Sequence, residues 1–154
     1  MGREAKVRWG LVLLGLTIPW LVYLGVEIYH KPHETSQMLR EFPSLLFASG
    51  YNLFLVGVIN AVPFACVAVL DWLHGSGARP LAKRAGMVGA TAAVLTVSLL
   101  LQLSVWNDAY APHPSSTAVI GLMFVPIYGI PLLIAGYAAG WLVGKAVDAV
   151  QRRK

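Results

Sequence analysis

At 154 residues, with 57% hydrophobic and only 12% charged side chains and a mean hydropathy of +0.66, the chain departs from an ordinary soluble domain, in which about 25% of residues are charged. The net charge of +5 does not indicate nucleic-acid binding, because the basic residues flank long apolar runs, where anionic lipid is the expected partner. The single cysteine, Cys66, lies inside an apolar run. This excludes an intramolecular disulfide and a thiolate metal site, and leaves Cys66 to pack as a small apolar residue. The composition is that of a polytopic membrane protein.

The first predicted span covers residues 9–28, close to the roughly 20 residues needed to cross a bilayer. Arg3, Lys6 and Arg8 lead into it as in a signal peptide, but the apolar run is long and no small-residue cleavage site follows, so the helix is expected to be retained. Trp9 and Tyr29 stand near its two ends, where amphipathic rings favour the headgroup level. Pro19 predicts a kink. In the loop 30–44, Met38, Leu39 and Phe42 recur at helical spacing, which predicts a short interfacial helix over 35–42, ended by Pro43.

The second predicted span covers 45–73, with Gly57, Ala61 and Ala65 in a small-residue ladder of the kind that lets two helix backbones approach closely. Asn60 lies inside that ladder, one turn before Pro63, and a buried amide needs a partner. The reading made from the sequence is a backbone carbonyl freed by Pro63, with Asn60 facing protein or a water-filled space. Asp71 reads as a solvated acid. The loop 74–84, HGSGARPLAKR, is rich in Gly and Pro and basic. It is followed by a third span over 85–106, narrowed at its start by Gly86, Gly89, Ala90 and Ala93 and carrying Gln102 near its far end. The next loop, 107–115, is so short that the third and fourth spans must be antiparallel neighbours. Ser115 or Ser116 is the expected N-cap of the fourth span, 117–143. Pro126 and Pro131 predict a bend or loosening over 124–131. Beyond it Gly136, Gly140 and Gly144 form a second ladder, and the two ladders suggest that spans two and four pack together.

Ten of the 12 Lys and Arg residues fall on one side of this pattern and only Lys31 and Arg40 on the other. The positive-inside rule then places both termini and the loop 74–84 in the cytoplasm. The expected architecture is an all-α, four-helix transmembrane bundle, one membrane domain over 1–154 with N-in/C-in topology. Its compact loops fit a bacterial plasma membrane.

Chemistry-bearing residues gather on the side opposite the basic termini. Glu27 and His30, three apart, share a helix face; His33 and Glu34 follow, and Asp108 and His113 lie in the other loop of that side. Imidazole and carboxylate groups from two loops suggest a divalent-metal site, against the alternative that they are solvated loop residues. The Glu-x-x-His spacing resembles half of a carboxylate-bridged di-iron site, but such sites use the motif twice. Haem is disfavoured, because His30, His74 and His113 sit at or beyond the span ends and not opposite one another mid-span. No nucleophile elbow or phosphate-cradling loop is present, and no catalytic residue is assigned.

Three functions follow, in order of preference. The first is a structural or accessory subunit that packs against other membrane helices or itself, through the small-residue ladders. The second is a small oligomeric transporter or channel, with Asn60 and Gln102 on a polar pathway. Four spans and an acid in the first look like the small multidrug resistance transporters, although their acid is mid-span whereas Glu27 is near a span end. The third is an enzyme or redox subunit built on the His/acid cluster.

Overall fold

A computed structural model describes residues 2–48, 52–75, 80–115 and 118–152, and these are all-helical. Helix α1 (Arg3–His30) is followed by a 3-10 turn (Pro32–Glu34) and the short α2 (Thr35–Leu45); then come α3 (Leu53–Leu73), α4 (Leu81–Asp108), a 3-10 stretch (Ala118–Met123) and α5 (Phe124–Gln151). Four of the five helices, all but α2, are long and apolar enough to cross a membrane. Helices α1, α4 and α5 have 28 residues each, about 42 Å at 1.5 Å per residue, longer than the roughly 30 Å thickness of a hydrocarbon core.

The most extensive contacts join α4 to α5 and α1 to α3, while α1–α4 and α3–α5 contacts close the ring; the order around the bundle is α1, α3, α5, α4. One apolar core cluster, Ile18, Phe64, Val67, Ala90, Val94 and Leu133, draws on all four long helices. A second, with Val26, Leu53, Val105, Trp106 and Leu122, lies toward the end that carries His30, where Phe42 and Leu45 of α2 pack against it. The outside is apolar too: Leu21, Val88, Leu100 and Ile134 are each more than 60% exposed.

The two small-residue ladders do not meet. A Cβ added at Gly57 would lie 2.6 Å from Leu16 O of α1, and one at Gly15 would lie 2.6 Å from Phe64 Cδ2 and 2.9 Å from Ala61 Cα. The α3 ladder therefore serves α1. On α5, Gly136 faces Gly89 O, Gly140 faces Ala85 O, and a Cβ at Gly144 would lie 2.5 Å from Ala82 Cα, so the α5 ladder serves α4. The pairing of spans two and four through their ladders is thus corrected. A small-xxx-small run marks a face that accepts a close neighbour without saying which neighbour it is.

Several boundaries also differ from the expectation. Helix α3 starts at Leu53, not at 45, because Asn52 Oδ1 accepts from Leu55 N–H (2.9 Å) and caps it. Pro43 lies within α2 and does not end it; one missing donor near an exposed helix end costs less than one mid-helix. On the fourth span the irregular stretch precedes the prolines. Residues 118–123 wind as a 3-10 helix, Pro126 then falls in the first turn of α5, where its missing N–H would have had no partner anyway, and Pro131 is carried inside the helix. Met123, not a serine, precedes α5; Ser115 donates its N–H to Asp108 Oδ2 at 2.8 Å, and Ser116 lies outside the described residues.

Candidate functional site

Pro19 sits inside α1 and has no N–H to give the carbonyl four residues back, that of Gly15. Gly15 also lacks a side chain, which lets α3 come into contact with the backbone at this level. Through that gap Asn60 Nδ2 donates to Gly15 O at 2.6 Å. The freed carbonyl that satisfies Asn60 thus belongs to Pro19 on the neighbouring helix, not to Pro63 on its own. The correction has a geometric cause: the carbonyl Pro63 frees is that of Ile59, beside Asn60 in the same helix, and the amide points across to α1 instead.

The other end of the Asn60 amide is held by α4. Ser98 Oγ donates to Asn60 Oδ1 at 2.6 Å, Gln102 Nε2 approaches the same oxygen at 3.5 Å, and Trp106 Nε1 donates to Gln102 Oε1 at 3.0 Å. Asn60, Ser98 and Gln102 are each 0% exposed. Ser98, Gln102 and Trp106 recur every fourth residue on one face of α4, so a chain of hydrogen bonds joins three helices inside an otherwise apolar core. The Trp106 ring continues it as an edge contact to Tyr23, ring centres 5.0 Å apart. Two members flagged by the sequence, Asn60 and Gln102, are brought together. Ser98 and Trp106 were not anticipated; the fourfold spacing Ser98–Gln102–Trp106 is the signal that could have found them.

The six residues suggested as metal ligands lie at the His30 end. Glu27 pairs with Lys31 at 3.5 Å. His30 stacks on Tyr110, ring centres 4.0 Å apart, and its Nε2 lies 3.3 Å from Asn107 Oδ1. Asp108 is committed to the Ser115 amide, while His33, Glu34 and His113 are exposed. Among the described residues no three of His, Cys, Asp and Glu gather closely enough to hold a metal ion. The juxtaposition read from the sequence is therefore one of side and not of distance.

That end does contain a cleft of about 210 Å³ between α1 and α2, with Glu27, Glu34 and Glu41 on its walls beside Lys31 and Tyr23. Nearby, the Tyr110 hydroxyl is buried beside the Glu27 carboxylate, without a well-formed hydrogen bond among the described residues. Burial, and then the neighbouring carboxylates of Glu27 and Glu34, raise its pKa well above the ordinary phenol value of 10.0.

The opposite end is tied by two long-range contacts. Arg8 Nε donates to Asp71 Oδ2 at 2.9 Å, with a longer approach of Arg8 to Glu4. Asp71 is therefore part of an ion pair between α1 and α3, with 13% of its side chain exposed, and not a solvated acid. His74 Nδ1 lies 2.6 Å from Leu70 O and its Nε2 lies 2.7 Å from Tyr137 Oη. Since a carbonyl only accepts, Nδ1 donates to Leu70 O, and Nε2 shares a hydrogen bond with the Tyr137 hydroxyl, which joins the end of α3 to α5.

No protein-family model, curated protein or solved structure matches the chain. The chemistry at hand is therefore that of the residues themselves. The core chain consists of neutral amides, a hydroxyl and an indole, groups that hold position through hydrogen bonds and do not titrate near neutral pH.

Proposed function

We propose that the protein is an integral membrane protein whose four long helices cross the bilayer with both termini in the cytoplasm, in a bacterial plasma membrane. Its role is that of a structural or accessory subunit packing against other membrane helices. The orientation rests on the ten-to-two split of basic residues. One observation favours packing over transport: the polar groups of the core are tied to one another at 0% exposure, and the cleft between α1 and α2 does not reach them, while the long helices turn large apolar side chains outward. With both ladders engaged inside the chain, partners are met through that apolar belt.

The test is the native mass of the protein extracted in mild detergent from its own membrane. A particle containing other polypeptides supports the reading, and a monomer or homo-oligomer alone counts against it. Orientation is checked separately in a Cys66→Ala background. A membrane-impermeant maleimide is expected to label Gln37→Cys in intact cells and Gln151→Cys only after permeabilisation; the reverse pattern overturns the topology.

The second reading, a small transporter, draws on Asn60 and Gln102 lying in one hydrogen-bonded chain across three helices. It requires solute flux in proteoliposomes that Asn60→Leu abolishes; absence of flux from the parent protein removes it.

A further inference from the structure

We infer that Asn60 is the latch of a hinge at Pro19, and that the Arg8-bearing arm of α1 is its moving part. Pro19 is buried and leaves Gly15 O without an intrahelical donor. In an apolar interior such a carbonyl needs a substitute partner, and helices bend where one is missing. Asn60 supplies the substitute from α3 at 2.6 Å. Its oxygen is in turn fixed by Ser98 and Gln102 of α4, the one long helix without a proline. The weak point of α1 is thereby tied to the uninterrupted helix of the bundle.

The two sides of Pro19 are held differently. On the His30 side, Trp20 Nε1 donates to Leu53 O at 2.8 Å, an approach that Gly57 permits by lacking a Cβ. On the other side, the far end of the arm is tied to α3 by the Arg8–Asp71 pair. Between that pair and the latch runs an apolar cleft of about 260 Å³, with Trp9 and Val12 of α1 on one wall and Ala65 and Trp72 of α3 on the other. The arm thus borders an open groove on the outer side of its contact with α3, while it packs closely on Ala61 and Phe64 at Gly15. Undoing the Asn60 bond frees residues 3–15 to pivot at Pro19 while the rest of α1 stays seated.

The test uses the logic that Pro19→Ala restores the missing N–H, so that Gly15 O regains an intrahelical partner. Spin labels at Val7→Cys on the arm and Lys83→Cys on α4, in full-length Cys66→Ala protein in lipid vesicles, report the arm's position. The parent is expected to give one narrow distance distribution and Asn60→Leu a broadened or second population. Adding Pro19→Ala to Asn60→Leu should restore the narrow one. In parallel, Asn60→Leu should raise the unfolding constant roughly tenfold in the parent and no more than roughly threefold in the Pro19→Ala background, the difference being the orphaned carbonyl. Equal penalties in the two backgrounds, or a broadening that Pro19→Ala leaves untouched, overturn the latch and reduce Asn60 to a core residue. Should Asn60→Leu fail to accumulate, rescue of accumulation by Pro19→Ala supports the proposal and failure to rescue overturns it. Ser98→Ala, which loosens only the α4 end of the latch, should give partial broadening in the same measurement.

Discussion

The two principal helix contacts of this bundle are built on opposite principles. Helices α4 and α5 meet backbone to backbone: Gly89, Gly136, Gly140 and Gly144 lie against carbonyls and Cα atoms, with no room for a side chain. Helices α1 and α3 also touch through Gly15 and Gly57, but their contact is pinned by directional bonds: Asn60 to Gly15 O, Trp20 to Leu53 O, and Arg8 to Asp71. The first kind of contact gains from dispersion over many small approaches and tolerates no added atom. The second kind depends on a few directional bonds between buried or partly buried polar groups. The pairs should therefore fail in different ways.

The sharpest break is expected at the glycine contact. Gly140→Leu would drive a Cβ into Ala85 O and Gly89→Val would drive one into Gly136 O. Because both obstacles are backbone, neither can rotate away, and each substitution is expected to cost at least about 3 kcal/mol or to prevent folding. Unfolding by SDS or heat measures this, with Ala138→Leu on the exposed face of α5 as a control expected to change stability by less than about 0.5 kcal/mol. Equal effects at Gly140 and Ala138 would mean that α4 and α5 are not in backbone contact. Since Gly140 acts within the chain, loss of an assembly in Gly140→Leu would not by itself reveal a partner surface.

In the hydrogen-bonded half, single changes should cost less. Asp71→Asn removes the charge opposite Arg8 at a site 13% exposed, and a loss of about 1–2 kcal/mol is expected. Ser98→Ala leaves Asn60 Oδ1 with only the 3.5 Å approach of Gln102, expected to cost about 1 kcal/mol. The two sites hold opposite ends of the same arm of α1, so the double variant measures their coupling as the departure from the sum of the single costs. A marked departure from additivity would show that the Arg8 end and the core respond as one unit.

How much of this was legible in the sequence follows the same division. The four long apolar helices were readable because each is an uninterrupted run, and the ladders because a spacing of four is local information. What the ladders touch was not readable: Gly140 and Gly57 carry the same signal, yet one meets α4 and the other α1. The need of Asn60 for a carbonyl was also readable, but the one it uses lies 45 residues away, and Pro19 and Pro63 free equally plausible ones. The Arg8–Asp71 and His74–Tyr137 contacts each bridge 63 residues, and no periodicity within a helix announces them. At the His30 end, counting residues on one side suggested a ligand set, whereas the fold commits Glu27, His30 and Asp108 to separate neighbours. Sidedness was legible there and distance was not.

The smallest effect on stability is expected at Tyr110, where a buried polar atom lacks the well-formed hydrogen bonds of the core groups. Tyr110→Phe removes a hydroxyl that approaches Glu27 without a well-formed hydrogen bond among the described residues, so at neutral pH it should be within about 0.5 kcal/mol of the parent. Alkaline pH separates the two. The phenol pKa is raised in the folded state by burial and by Glu27 and Glu34, so above the ordinary value of 10.0 the unfolded chain releases a proton that the folded chain retains. The unfolded state then binds fewer protons, and stability falls as pH rises. This contribution is complete below pH 10 and is lost progressively from there upward. Unfolding followed from pH 8 to 11 should show a steeper alkaline decline for the parent than for Tyr110→Phe, and phenolate absorbance of the parent, with six tyrosines, should contain a late-titrating component that the variant lacks. Parallel declines would mean that the hydroxyl is solvated, and that the His30 end is as fully satisfied as the Asn60 core.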